Sequence, residues 1–219
     1  MIGAKDSDFD HVFDSQHIFR VLLNTMAKPG KIGILPSLAI NPPEENPYPF
    51  LVLLALLDRE VSFSVQGNVK DPEKVMKYLE LNTGSKPGDL GTSDFIFVYG
   101  GSSKGQVCRA KTGSFRYPDK SATIVYAIDS ISDPTSNFTS DFISNSVSDR
   151  RASEKEKVLL ELSGPGIKEK CMLAFSGIEK KEIQDLISVR EFPLGIDAMF
   201  CDKKGRIVGI PRSSSVKIS

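Results

Sequence analysis

Arg212, with Ser213 and Ser214 directly after it, is the group in this chain best suited to chemistry. A planar guanidinium fork beside two hydroxyls can hold a phosphate-like anion through several charge-assisted hydrogen bonds. Asp197 bears on the same place. It closes the run Phe192-Pro193-Leu194-Gly195-Ile196-Asp197, and the stretch between it and Arg212 reads as a hairpin, which brings the two residues to one end of neighbouring strands. A structural ion pair is therefore the simpler expectation, and an anion site the functional alternative. Arg20, on a helix near the start of the chain, can join either arrangement. Arg20, Asp197, Arg212, Ser213 and Ser214 form the candidate anion-binding or structural set, and no residue is assigned a catalytic role.

Other familiar chemistries find little to build on. The 219 residues include two histidines, His11 and His17, and three widely spaced cysteines, Cys108, Cys171 and Cys201. A zinc or haem site is not expected from that inventory, and a Ser-His-Asp hydrolase lacks its Gly-x-Ser-x-Gly elbow. Gly100-Gly101-Ser102-Ser103-Lys104-Gly105 resembles a phosphate loop, but Gln106 and Val107 stand where a P-loop needs Lys and then Ser or Thr. It reads as an ordinary strand-to-helix turn, and Gly164-Pro165-Gly166 as a tight turn. No lysine stands in a recognisable Schiff-base context, so neither cofactor nor metal is expected. An odd, scattered set of cysteines suggests free, mostly buried thiols in a reducing compartment, and the location expected is cytoplasmic.

Charge and hydropathy narrow the class further. Twenty-eight basic residues balance twenty-eight acidic ones, with a pI near 6.7, which argues against a nucleic-acid footprint. The longest apolar run, Phe50 to Leu57, is too short to span a membrane, and the acidic start shows no apolar signal segment. A chain of this length buries roughly 70% of its unfolded surface in one domain without staples.

Spacing along the chain predicts the helices and strands that carry the candidate residues. Asp14 or Ser15 caps a helix carrying Ile18, Val21, Leu22 and Met26, which stops at Lys28-Pro29-Gly30. Lys31 to Leu35 reads as a short strand, and after a proline-rich loop Phe50 to Leu57 reads as a fully buried helix. Val61, Phe63 and Val65 alternate with serines, giving a strand with one wet face. Asp71-Pro72 starts the best-marked helix, with Val75, Met76 and Leu79 inward and Gly84 as the stop. Asp94 to Tyr99 and Thr123 to Ile128 read as buried strands around a weaker helix near Gln106 to Lys111. Residues 129–153 turn polar and read as an exposed, mobile insertion in a single domain. Val158 to Leu162 and Ile167 to Phe175 resume as strands, followed by an amphipathic helix over Glu179 to Val189 with Ile183, Leu186 and Ile187 on one face. A hairpin of Ala198 to Cys201 and Ile207 to Ile210 turns at Asp202-Lys203-Lys204-Gly205. The sum is an α/β fold with a mixed β-sheet flanked by helices.

Four blocks in order, QHIFRVLLNTMAKPG at Gln16 to Gly30, LSGPGI at Leu162 to Ile167, FPLGID at Phe192 to Asp197 and GIPRSSSV at Gly209 to Val216, resemble the PhnH family of the bacterial carbon–phosphorus lyase system. The resemblance runs from about Phe9 to the C-terminus. It implies a fold like the pyridoxal-phosphate-dependent transferases without the cofactor, a homodimer, and a core complex with PhnG, PhnI and PhnJ subunits. In the family that complex converts alkylphosphonate and a purine nucleoside triphosphate into ribose 1-alkylphosphonate 5-triphosphate with loss of the base. Ser213 and Ser214 stand where many relatives carry threonines, which keeps the hydroxyls, and the family pattern gives no role for residues 129–153.

Two functions from different classes fit these observations. One is a non-catalytic or accessory subunit that shapes an assembly's active site. The other is an independent transferase or phosphate-ester-binding enzyme on the same fold. The sparse histidine favours the first, because acid–base work near neutral pH most often recruits that residue.

Overall fold

Asp10 starts the first helix, α1 (Phe13–Ala27), by accepting the backbone N–H groups of Val12 and Phe13 at 2.8 and 2.9 Å. The helix thus begins ahead of the Asp14 or Ser15 cap read from the sequence, and it buries Ile18, Leu22 and Thr25. The computed structural model describes residues 9–134 and 157–219. In α2 (Tyr48–Leu56) every residue from Pro49 to Leu54 is buried, as its uniformly apolar run requires. In α3 (Pro72–Thr83) the Asp71 carboxylate accepts the Lys74 backbone N–H at 3.1 Å and Gly84 closes the last turn.

These helices lie on one face of a seven-stranded sheet. Its order is β1 (Gly33–Ile34), β10 (Arg206–Ile210), β9 (Asp197–Cys201), β5 (Thr123–Ala127), β4 (Phe95–Tyr99), β2 (Ser62–Gly67) and β3 (Lys86–Pro87). Only β10 runs against the others, so the sheet is mixed, with parallel strands β9, β5, β4, β2 and β3 together. Phe50, Leu53, Phe63, Leu79 and Phe97 fill the core under the helices. The expected helix near Gln106 is a single 3-10 turn, Gln106–Arg109.

The other face was expected to carry helices and carries mainly a second sheet. It is antiparallel, in the order β11 (Ser215–Ile218), β7 (Lys157–Ser163), β8 (Cys171–Ser176) and β6 (Ser130–Ser132), and α4 (Lys180–Ser188) packs beside it. Tyr126, Phe175 and Phe200 stack between the sheets, with the first and last rings parallel at 4.9 Å. The clean alternation expected of β2 is not seen: Phe63 and its neighbour Ser64 are both buried, and the other residues of the strand are half-buried.

The reading of residues 129–153 as an exposed insertion fails for its first residues, which belong to the packed domain. Ile131 is fully buried, β6 pairs with β8, and the Ile131 backbone N–H donates to Asp202 at 3.0 Å. Residues 135–153, the rest of that expected insertion, lie outside the described residues. Of the three cysteines, all free thiols, Cys201 alone is fully buried and Cys108 is exposed, so the expectation of buried thiols fails for Cys108.

Candidate functional site

The hairpin of β9 and β10 pairs Ala198 with Ile210, and the next residues bring Arg212 beside Asp197. The Arg212 backbone N–H donates to Asp197 Oδ1 at 2.7 Å, Nη2 to Oδ2 at 2.6 Å, and Nε to Oδ1 at 3.3 Å. Nη1 donates to the Pro118 carbonyl. The two side chains are 17% and 16% exposed. Every nitrogen of the guanidinium is therefore engaged by the protein, and the fork that would clasp a phosphate clasps a carboxylate instead.

The remaining candidates divide. Ser214 is buried, with its backbone N–H on the Pro211 carbonyl at 2.9 Å and its hydroxyl without a partner among the described residues. Ser213 is half-buried in the same turn. Arg20 does not join the pair: it is exposed on α1, and its guanidinium has no ion-pair partner among the described residues.

Two charged groups here escaped the sequence reading. Arg190 donates from Nη2 to the Ile210 carbonyl at 2.9 Å, while its Nε and Nη1 are buried without partners among the described residues. Burial pushes this guanidinium down to about 10, with Asp197 opposing the drop. An arginine just past an amphipathic helix normally reads as a solvated end, and nothing in its spacing marks it as buried. Glu182 is 1% exposed, accepting the Ser103 backbone N–H and hydroxyl at 2.8 and 2.9 Å and the Tyr126 hydroxyl at 2.8 Å. Burial first, and the neighbouring carboxylate second, hold the Tyr126 hydroxyl well above the ordinary tyrosine range.

The four motif blocks meet at this edge. A Cβ on Gly166 would sit 2.4 Å from the Ala27 carbonyl oxygen, so the first two blocks meet through bare backbone there, and one on Gly30 would sit 3.6 Å from Leu162 Cδ1 and 2.6 Å from Cys171 Sγ just beyond the second block. Gly164 faces the Ser213 carbonyl, and Gly209 lies against Met26. Asp197 and Arg212 then join the third block to the fourth. A family model described as bacterial phosphonate metabolism protein (PhnH) matches residues 7–217. The chain belongs to the PhnH family.

A PhnH-family relative in Rhizobium meliloti (strain 1021), the alpha-D-ribose 1-methylphosphonate 5-triphosphate synthase subunit PhnH, is 24% identical over 212 residues. The alignment takes in 95% of this chain and 92% of that protein. Within this PhnH-family chain the segments singled out in the sequence form one contact network at the amino-terminal edge of β5 and β9. What the network does chemically is hold itself together: its carboxylate and its best-placed arginine neutralise each other. No helix among the described residues is long and apolar enough to cross a membrane, and no cluster of three or more histidine, cysteine or acidic side chains there could hold a metal ion.

Proposed function

We propose that this chain is an accessory, non-catalytic subunit of an assembly that makes alpha-D-ribose 1-methylphosphonate 5-triphosphate from alkylphosphonate and a nucleoside triphosphate. Full-length membership of the PhnH family carries the reading. The geometry supports it through Arg212, whose donors are taken up by Asp197 and Pro118, leaving a rigid motif network suited to presenting a surface. Displacing a base from a triphosphate needs charge stabilisation at the leaving base and at the anomeric carbon. Here the Arg212 fork is engaged by Asp197 and Pro118, and Arg190, whose Nε and Nη1 are unpartnered among the described residues, is buried inside the protein.

In this reading the chain forms a homodimer, works with PhnG, PhnI and PhnJ subunits, and resides in the cytoplasm. Its fold is a relative of the pyridoxal-phosphate-dependent transferases that has lost the cofactor. Two lysines illustrate the misfit with that cofactor. Lys70 lies 2.6 Å from Glu45 and Lys203 lies 2.6 Å from Asp129, and those carboxylates hold both ammonium groups protonated, whereas a Schiff base needs a neutral amine.

Gene replacement tests the reading. A strain lacking this chain should fail to grow on methylphosphonate as sole phosphorus source and grow normally on phosphate, and the tagged chain should co-purify with the other core subunits. Normal growth on methylphosphonate without it would refute the proposal.

A further inference from the structure

At the opposite edge of the large sheet, the carboxyl ends of β2, β4, β5 and β9 open into a cavity of about 680 Å³. Its place is set by topology. The connection leaving β2 runs through α3 on the helix-covered face, with Val75 and Leu79 in that core. The connection leaving β4 runs over the other face, where Val107, Ala110 and Ala122 pack. Neighbouring parallel strands whose connections depart to opposite faces leave a crevice beyond their carboxyl ends, which is where open α/β sheets bind ligands. Tyr99, at the end of β4, lines it.

Two deeply buried polar side chains line the same cavity. Glu44 is 5% exposed and Asn46 4%, both in the loop before α2. Glu44 accepts the Lys70 backbone N–H at 2.8 Å with Oε1, and Asn46 Oδ1 accepts the Tyr48 N–H at 3.2 Å. Their other atoms, Glu44 Oε2 and Asn46 Nδ2, have no partner among the described residues. A buried carboxylate oxygen left unmatched is costly, and an N–H donor, above all an ammonium, is the group that matches it. Across the cavity, α4 begins at Lys180 with no side chain capping its first turn. Lys70 and Lys203 at the rim are neutralised by Glu45 and Asp129, whereas the Lys180 ammonium has no ion-pair partner among the described residues. The N–H groups of the first turn of α4 and the Lys180 ammonium suit an anion, with the carboxylate of Glu179, the N-cap residue, also lining the cavity beside them.

We propose that this cavity binds a small zwitterion, its amino group on Glu44 and its anionic group, phosphate or carboxylate, at the start of α4 beside Lys180. The assignment does not rest on the accessory-subunit reading, because it concerns what the isolated chain binds. A volume near 680 Å³ accommodates molecules of that size with room to spare.

Calorimetric titration of the purified chain with O-phosphoethanolamine and with L-glutamate tests it, with inorganic phosphate and ethanolamine as single-ended controls. At least one zwitterion should saturate with a Kd below about 1 mM and bind at least about tenfold tighter than either control. The tighter of the two identifies the anionic end. Glu44→Gln keeps the side chain's shape and its bond to Lys70, and should weaken zwitterion binding about tenfold while leaving the phosphate control unchanged. Lys180→Ala, at an exposed first-turn position, should weaken both and serves if the Glu44 variant does not fold. No saturation by either zwitterion up to about 10 mM, binding no tighter than that of phosphate alone, or binding indifferent to the substitution at Glu44 or, where that variant fails to fold, at Lys180, would overturn the proposal.

Discussion

Arg212 holds Asp197 twice over, with its backbone N–H at 2.7 Å on one carboxylate oxygen and its Nη2 at 2.6 Å on the other. The main-chain bond fixes where the chain leaves β10, and the side-chain bond neutralises a charge that the hairpin has taken out of water.

Removing either member should therefore cost stability. Arg212→Ala and Asp197→Ala are each expected to lower unfolding free energy by about 3 kcal/mol, because each strands its partner in a mostly buried place. The double variant should fall well short of the sum. Urea unfolding of the four proteins checks this, and an Arg212→Ala protein as stable as the parent would show that the arginine is free for other work.

Gly166→Ala should be as damaging as its contacts are close. Its φ is +82° and the new methyl would lie 2.4 Å from the Ala27 carbonyl, so strain and displacement add. A loss of more than about 1 kcal/mol is expected, read from the shift in melting temperature, and an unchanged melting temperature would show that the turn gives way freely.

Ile131→Ala tests whether the start of the polar segment belongs to the packed domain. Ile131 is fully buried between the sheets, and truncation should cost about 2–5 kcal/mol. A change near zero in thermal unfolding would restore the sequence expectation that the chain leaves the domain at residue 129.

Tyr126→Phe should alter alkaline stability. In the folded chain Tyr126 keeps its proton well above the ordinary range, while in the unfolded chain it releases it near pH 10. The folded state thus binds more protons above about pH 10, and its stability falls as pH rises past that point. The phenylalanine variant should lose about 1–2 kcal/mol at pH 7 and show a shallower decline above pH 10. An unchanged slope would mean that the hydroxyl ionises normally in the fold.

Much of this was legible in the chain itself. The cap of α3 was marked by Asp71 and Pro72, α2 by an unbroken apolar run, and the hairpin that pairs Asp197 with Arg212 by two short strands around Asp202-Lys203-Lys204-Gly205. Features set by long-range contacts escaped. Ser215–Ile218 becomes a strand only because β7 offers it an edge, and Ser130–Ser132 only because β8 does. Asp202 looked like a turn residue, yet it is fully buried and accepts from Ile131 and from the backbone N–H and Nε of Arg206, tying the hairpin to the second sheet. Glu182 and Arg190 belong to the same class, since a charged residue on an amphipathic helix, or just past its end, carries no local sign that the neighbouring layer will cover it. The cavity opposite was likewise invisible, for its lining comes from loops far apart in sequence.

Whether this chain is a necessary but non-catalytic part of an assembly is decided by following adenine release from ATP and methylphosphonate. The isolated chain should release none above the spontaneous rate, the other core subunits together should release little without it, and addition of the chain should restore release. Adenine produced by the isolated chain would contradict the accessory assignment, and full release by the other subunits in its absence would contradict the claim that it is needed.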